Sequence, residues 1–136
     1  LTDIELRRLA AVGATLVTCP RSNRWTGAGT PPISRFYASG VRVAIGTDSL
    51  ASAPDLSVFA ELAEIRRLDP TQPPAALLRS ATRAGAEALG WSSRGTIAQG
   101  MDASLIAVRC PTTVRDVEEY LVNGIASADV RWLSES

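Results

Sequence analysis

Two short β-branched runs, each followed by a loop and then a helical stretch, limit what this chain can fold into. Ala14 to Thr18 (ATLVT) fits a strand buried on both faces, and Val41 to Ile45 (VRVAI) is the second such run. Ahead of the first, Thr2 and Glu5 form a capping box before an apolar-periodic stretch through Ile4, Leu6, Leu9 and Ala10, which Gly13 ends. Between the runs lie a loop, Cys19 to Thr30, and a short helix, Ile33 to Ser39, opened by Pro31 and Pro32 and closed by Gly40. Beyond Asp48 the spacing of Val58, Phe59, Leu62 and Ile65 predicts a helix from about Asp55 to Leu68, and a second is expected from Pro74 to Leu89. Strands alternating with helices mean parallel βα units.

After Gly90 the texture changes. Gly95 to Gly100 (GTIAQG) and Ala103 to Val108 (ASLIAV) are expected strands, and Val114 to Tyr120 a short helix. Asn123-Gly124 is a strong turn pair, and Val130 to Leu133 a possible last strand. Two parallel βα units cannot close a sheet, and a complete (β/α)₈ barrel takes about 250 residues. With 136 residues, opening on Leu1 rather than Met, the chain is expected to lack an upstream part.

Composition narrows the function. The 14 basic and 14 acidic residues cancel, so no positive field is available for a nucleic acid or membrane surface. No run approaches the roughly 18 apolar residues of a spanning helix. Cys19 and Cys110 have neither disulfide-framework nor zinc-cluster spacing, which makes a reducing cytoplasm the default location. The chain holds 0 His, so the commonest general base and metal ligand are both missing from it.

Asp48 follows the second strand through Gly46-Thr47. Active sites of parallel barrels sit at the C-terminal ends of strands, where a carboxylate can bind a cation and accept a proton. The plain alternative is an aspartate capping a turn. Cys19-Pro20-Arg21-Ser22-Asn23-Arg24-Trp25 lies at the end of the other strand and would share that face. Asn23 and Ser22 can hydrogen-bond a substrate, Arg21 can hold an anion and Trp25 can stack on a ring; a solvated loop is the alternative. Neither cysteine has a histidine to activate it, so Cys19 reads as a small residue packed near a strand end.

Taken in order, CPRSN at Cys19–Asn23, GVRVAIGTDSLAS at Gly40–Ser52 and GTIAQGMDASLIAV at Gly95–Val108 resemble the amidohydrolase superfamily. The likeness is to its branch of amine-releasing deaminases and triazine chlorohydrolases. It implies an α/β fold: strands seven and eight of a TIM-type barrel with their helices over 1–90, and 91–136 returning to a small β-sandwich. It also implies hydrolytic deamination of an amino-substituted nitrogen heterocycle or nucleoside derivative. Asp48 would be the strand-eight aspartate that touches one divalent metal, zinc or iron, and shuttles protons. Arg21, Ser22, Asn23 and Trp25 would border the small-molecule substrate. The family's metal-binding histidines have no counterpart here, and one of them is expected a few residues before Leu1. A catalytic zinc takes three protein ligands and a water, so this chain alone is expected to hold no metal tightly and to be inactive. Its partner would be the missing N-terminal part of the barrel, with self-association through open strand edges. Two other readings stay open: a non-catalytic interaction module, and a ring-opening cyclic amide hydrolase of the same superfamily.

Overall fold

The computed structural model describes residues 1–133. Helix α1 (Asp3–Ala11) starts on the expected capping box: the Thr2 hydroxyl accepts from the Glu5 amide, and the Glu5 carboxylate accepts from the Thr2 amide at 2.6 Å. Strands β1 (Thr15–Thr18) and β2 (Arg42–Ile45) pair in parallel, from Thr15 opposite Arg42 to Thr18 opposite Ile45. The Gly46 amide donates to the Thr18 carbonyl at 3.1 Å, so the ladder runs one step past β2 and holds the C-terminal ends of the two strands together. A Cβ at Gly46 would come within 3.0 Å of Val17 Cγ1 and 3.1 Å of Cys19 Sγ, so both side chains would have to give way by a few tenths of an ångström.

The crossover from β1 to β2 contains two helices, α2 (Pro20–Thr26) and α3 (Ile33–Ala38). Where the sequence predicts a loop over Cys19–Thr30, α2 forms because Pro20 sits at its first position with φ preset for a helix. Gly27 ends it in the left-handed conformation at φ +73°.

After β2, α4 (Val58–Leu68) begins later than Asp55 because the Ser57 hydroxyl caps it, accepting from the Ala60 amide. The single helix expected over Pro74–Leu89 is two, α5 (Pro74–Ala81) and α6 (Arg83–Ala88). Thr82, at φ −119° and ψ −90°, breaks the helical path between them.

Leu6, Val43, Ile45, Leu62, Ile65 and Leu77 make the center of one core between the strand pair and the helices. Helix α7 (Val117–Val122) joins the same core through fully buried Val122, and Arg66 of α4 grips Glu119 of α7 through two bonds at 3.0 and 2.8 Å. Its cap, Asp116, starts it three residues beyond the expected Val114.

The remaining strands, β3 (Leu105–Val108) and β4 (Val130–Leu133), pair antiparallel. The strand expected over Gly95–Gly100 is instead a set of turns, with Ile97 85% exposed. A strand persists only when a neighbour completes its hydrogen bonds, and no ladder reaches this segment among the described residues. Asn123-Gly124 makes no hairpin: Asn123 is the C-cap of α7, and Gly124 takes the positive φ that follows. Among the described residues, no helix is long and apolar enough to cross a membrane.

Candidate active site at the paired strand ends

The parallel register brings the residues following β1 and β2 to one edge. Asp48 stands there on a backbone φ of +61°, the one positive value outside glycine among the described residues. Such a conformation strains most side chains and is tolerated best by Asp and Asn. Its carboxylate is held by two hydroxyls: Ser22 Oγ and Ser52 Oγ each donate to Oδ2 at 2.7 Å. Oδ1 receives no side-chain hydrogen bond among the described residues. Hydrogen bonds from Ser52, then Ser22, favour the ionised form and lower the Asp48 pKa below its ordinary 3.8. The group is therefore a carboxylate at neutral pH, exposed to solvent and anchored on one oxygen.

Ser22 is buried on the first turn of α2, so the helix that replaces the expected loop is what aims it at Asp48. Ser52 is buried in the turn after Asp48, and its role was not read from the sequence. Only its spacing, four residues on from Asp48 in a serine-rich turn, could have suggested it.

None of the other sequence candidates bonds the Asp48 carboxylate among the described residues. Arg21 is 8% exposed and turned inward. Its guanidinium Nη1 donates to Asp55 Oδ1 at 2.7 Å and stands 3.7 Å from Glu61 Oε1. Asn23 lines a surface cavity of about 240 Å³ together with Arg24, Glu64 and Arg67, and neither Asp48 nor Ser22 contributes to it. Trp25 is 66% exposed. The structure thus brings Ser22 to Asp48, turns Arg21 to Asp55 and Glu61, and places Asn23 on a separate cavity wall.

Two further titratable groups stand at the start of α2. Glu61 of α4 is fully buried; its Oε2 accepts the Arg21 amide at 3.0 Å, and its Oε1 has no hydrogen-bond partner. Burial pushes its carboxyl pKa up. The Cys19 thiol is likewise pushed up, first by burial and then by the negative charges of Glu61 and Asp48, which leaves it a protonated packing residue.

Residues 1–127 match the Amidohydrolase family. The chain belongs to that family. This amidohydrolase chain is 38% identical to the 5-methylthioadenosine/S-adenosylhomocysteine deaminase of Halobacterium salinarum, over 93% of its own length and 32% of the relative's. It is 41% identical to the aminodeoxyfutalosine deaminase of Deinococcus radiodurans over 66% of itself and 22% of that protein. Among solved structures, an adenosine deaminase from Xanthomonas campestris with bound zinc superposes with a TM-score of 0.86 at 31% identity, covering 96% of this chain and 32% of that one. Atrazine chlorohydrolase from Arthrobacter aurescens TC1, complexed with zinc, gives 0.79 at 25% identity over 96% and 32%. The amidohydrolase chain falls in the deaminase branch of the superfamily and spans about a third of the length of the curated Halobacterium relative. Its fold is that of amidohydrolase proteins.

Proposed function

We propose that this chain supplies the last two βα units of a metal-dependent amidohydrolase barrel. In this reading β1 and β2 are strands seven and eight, residues 1–90 belong to the barrel, and 91–136 return to a small β-sandwich. Helix α7 comes back from the second part to pack on the first. The whole protein would remove an amino group hydrolytically from a nitrogen heterocycle or nucleoside derivative, a reading supported by the names of its deaminase relatives.

The observation that carries the proposal is the Asp48 carboxylate at the strand end, tied by two hydroxyls on Oδ2. Its donor chemistry fits a divalent cation: an ionised, exposed oxygen ligand on a fixed backbone. It fits as one ligand of several, since no group of three His, Cys, Asp or Glu among the described residues could hold a metal. The remaining ligands would come from the rest of the barrel, and the bound zinc in two solved relatives makes zinc the first choice, with iron second. When bound, such a cation supplies the Lewis acidity that lets water lose a proton near neutral pH. Asp48 would then take up a proton at its carboxylate and return it to the departing amine nitrogen, first as general base and then as general acid. Ser22 and Ser52 would keep Asp48 ionised before the proton arrives and oriented throughout. Asn23 and Trp25 are proposed to border the substrate, and Arg21 to act from beneath, through its contacts with α4.

Ammonia release by the full-length protein from adenosine-type substrates tests the reading. Activity on at least one, lost in Asp48→Asn, is expected. Hydrolysis of a cyclic amide with no ammonia from any amino-substituted substrate would move the assignment to the ring-opening enzymes.

A further inference from the structure

The first turn of α2 has no local cap. Cys19 offers no side-chain acceptor, and Pro20 has no amide hydrogen. The first free donor of the helix is the Arg21 amide, and an orphan amide at a helix start needs an acceptor. Here the acceptor comes from 40 residues downstream: Glu61 Oε2 on α4, at 3.0 Å. A serine or aspartate at Cys19 would do the same work at the surface with less desolvation. Instead a carboxylate with 0% exposure is buried with one oxygen unpartnered, an arrangement that weighs against stability. The guanidinium of the same Arg21 closes the clamp, reaching Asp55 at 2.7 Å and the Ser57 carbonyl at 3.5 Å, both at the entry to α4. The residue next to Arg21 is Ser22, whose hydroxyl holds Asp48.

We infer that Glu61 and Arg21 are positioning residues: their amide–carboxylate and ion-pair clamp sets the first turn of α2 at the depth where Ser22 Oγ reaches Asp48. This rests on the reading of Asp48 as the working carboxylate. Neither residue touches the strand-end edge itself. Each acts through Ser22.

Two substitutions in the full-length protein separate reach from charge. Glu61→Gln keeps the length of the side chain and an oxygen acceptor; Glu61→Asp keeps the charge but withdraws the acceptor by one methylene. With Glu61→Gln, kcat is expected within about twofold of the parent. With Glu61→Asp, kcat is expected to fall about tenfold at unchanged KM, as for a group that matters in the transition state and not in binding. In a Ser22→Ala background the Glu61→Asp effect should shrink to less than about twofold, because the route through Ser22 is already cut. Should Glu61→Asp not fold, Glu61→Ala removes the acceptor together with the buried charge and is read the same way. Full kcat in the shortened or truncated variant, equal losses in Gln and Asp, or an undiminished loss in the Ser22→Ala background would each overturn the clamp. Retained activity in Asp48→Asn would instead overturn the reading of Asp48 on which the clamp depends, whatever Glu61 does.

Discussion

At Asp48 the backbone limits which replacement gives a clean answer. Its φ of +61° is accessible to asparagine and hostile to β-branched residues. Asp48→Asn should preserve the fold and the contacts to Ser22 and Ser52 while lowering kcat by roughly 10²–10⁴-fold, the range typical of a lost proton-transfer group. Asp48→Val should lose activity and also melt lower, so comparing kcat and Tm of the pair separates chemistry from strain. The two carboxyls of the region carry opposite pH signatures. Asp48 has a lowered pKa, so its contribution to stability is present above 3.8 and fades as pH falls through its folded value. Glu61 has a raised one: above its ordinary 4.5 the unfolded chain releases a proton that the folded chain still holds, and stability falls as pH rises through the folded value. Urea midpoints of Glu61→Gln relative to the parent should therefore improve between pH 4.5 and neutrality; a constant or shrinking difference would contradict the shift. Asp48 was legible in the sequence because it directly follows a buried strand. Glu61 was legible in principle, since it shares a helix face with Leu62 and Ile65, where a charge has to find a partner. Its partner could not be read, because the bond spans 40 residues.

The elements explain which expectations failed. Periodicity located α1, α4 and both strands of the parallel pair, because each has an apolar face against the core or a local cap. It missed α2, whose amphipathic signal is weak over seven residues and whose cap comes from Glu61. It fused α5 and α6, because nothing composed like a breaker lies at Thr82. Beside that break lies Gly95, which packs against α6. A Cβ there would lie 2.8 Å from Arg83 Cα and 2.9 Å from both Ala86 Cβ and the Thr82 carbonyl oxygen, at φ +83°. Gly95→Ala should cost more than the ~1–2 kcal/mol of left-handed strain alone. Gly13→Ala has the same sign of φ but open space around it, so it should cost only that strain. Denaturant melts of the two variants compare them directly; equal losses would show that the Gly95 contact relaxes freely.

For the molecule as a whole, two two-stranded sheets leave strand edges without neighbours among the described residues. Val17 of β1 is 55% exposed, and Leu50 and Leu56, in the segment between β2 and α4, are 68% and 54% exposed. A chain of 136 residues prepared alone should self-associate in a concentration-dependent way by light scattering, through those edges. Titrated calorimetrically with zinc, it should show no stoichiometric sub-micromolar site, since Asp48 brings one ligand. A tight one-to-one site would refute the shared metal centre. Strand alternation and the absence of histidine are what make the sequence read as part of a larger barrel. The return of α7 onto the core beside α4 and α5 was not legible in the sequence, because it depends on Val122 and Glu119 meeting those distant helices.

Ser22 and Ser52 both bond Asp48, and among the described residues Arg21 reaches only Asp55, Ser57 and Glu61, so this corner of the protein is closed on itself within one continuous stretch, 14–69. Grafted as a block into a related deaminase, that stretch should carry its internal wiring intact. Grafts cut between Ser22 and Asp48, or between Asp48 and Glu61, would pair halves shaped for different neighbours. Recombination among relatives should therefore favour crossovers outside this stretch over crossovers within it.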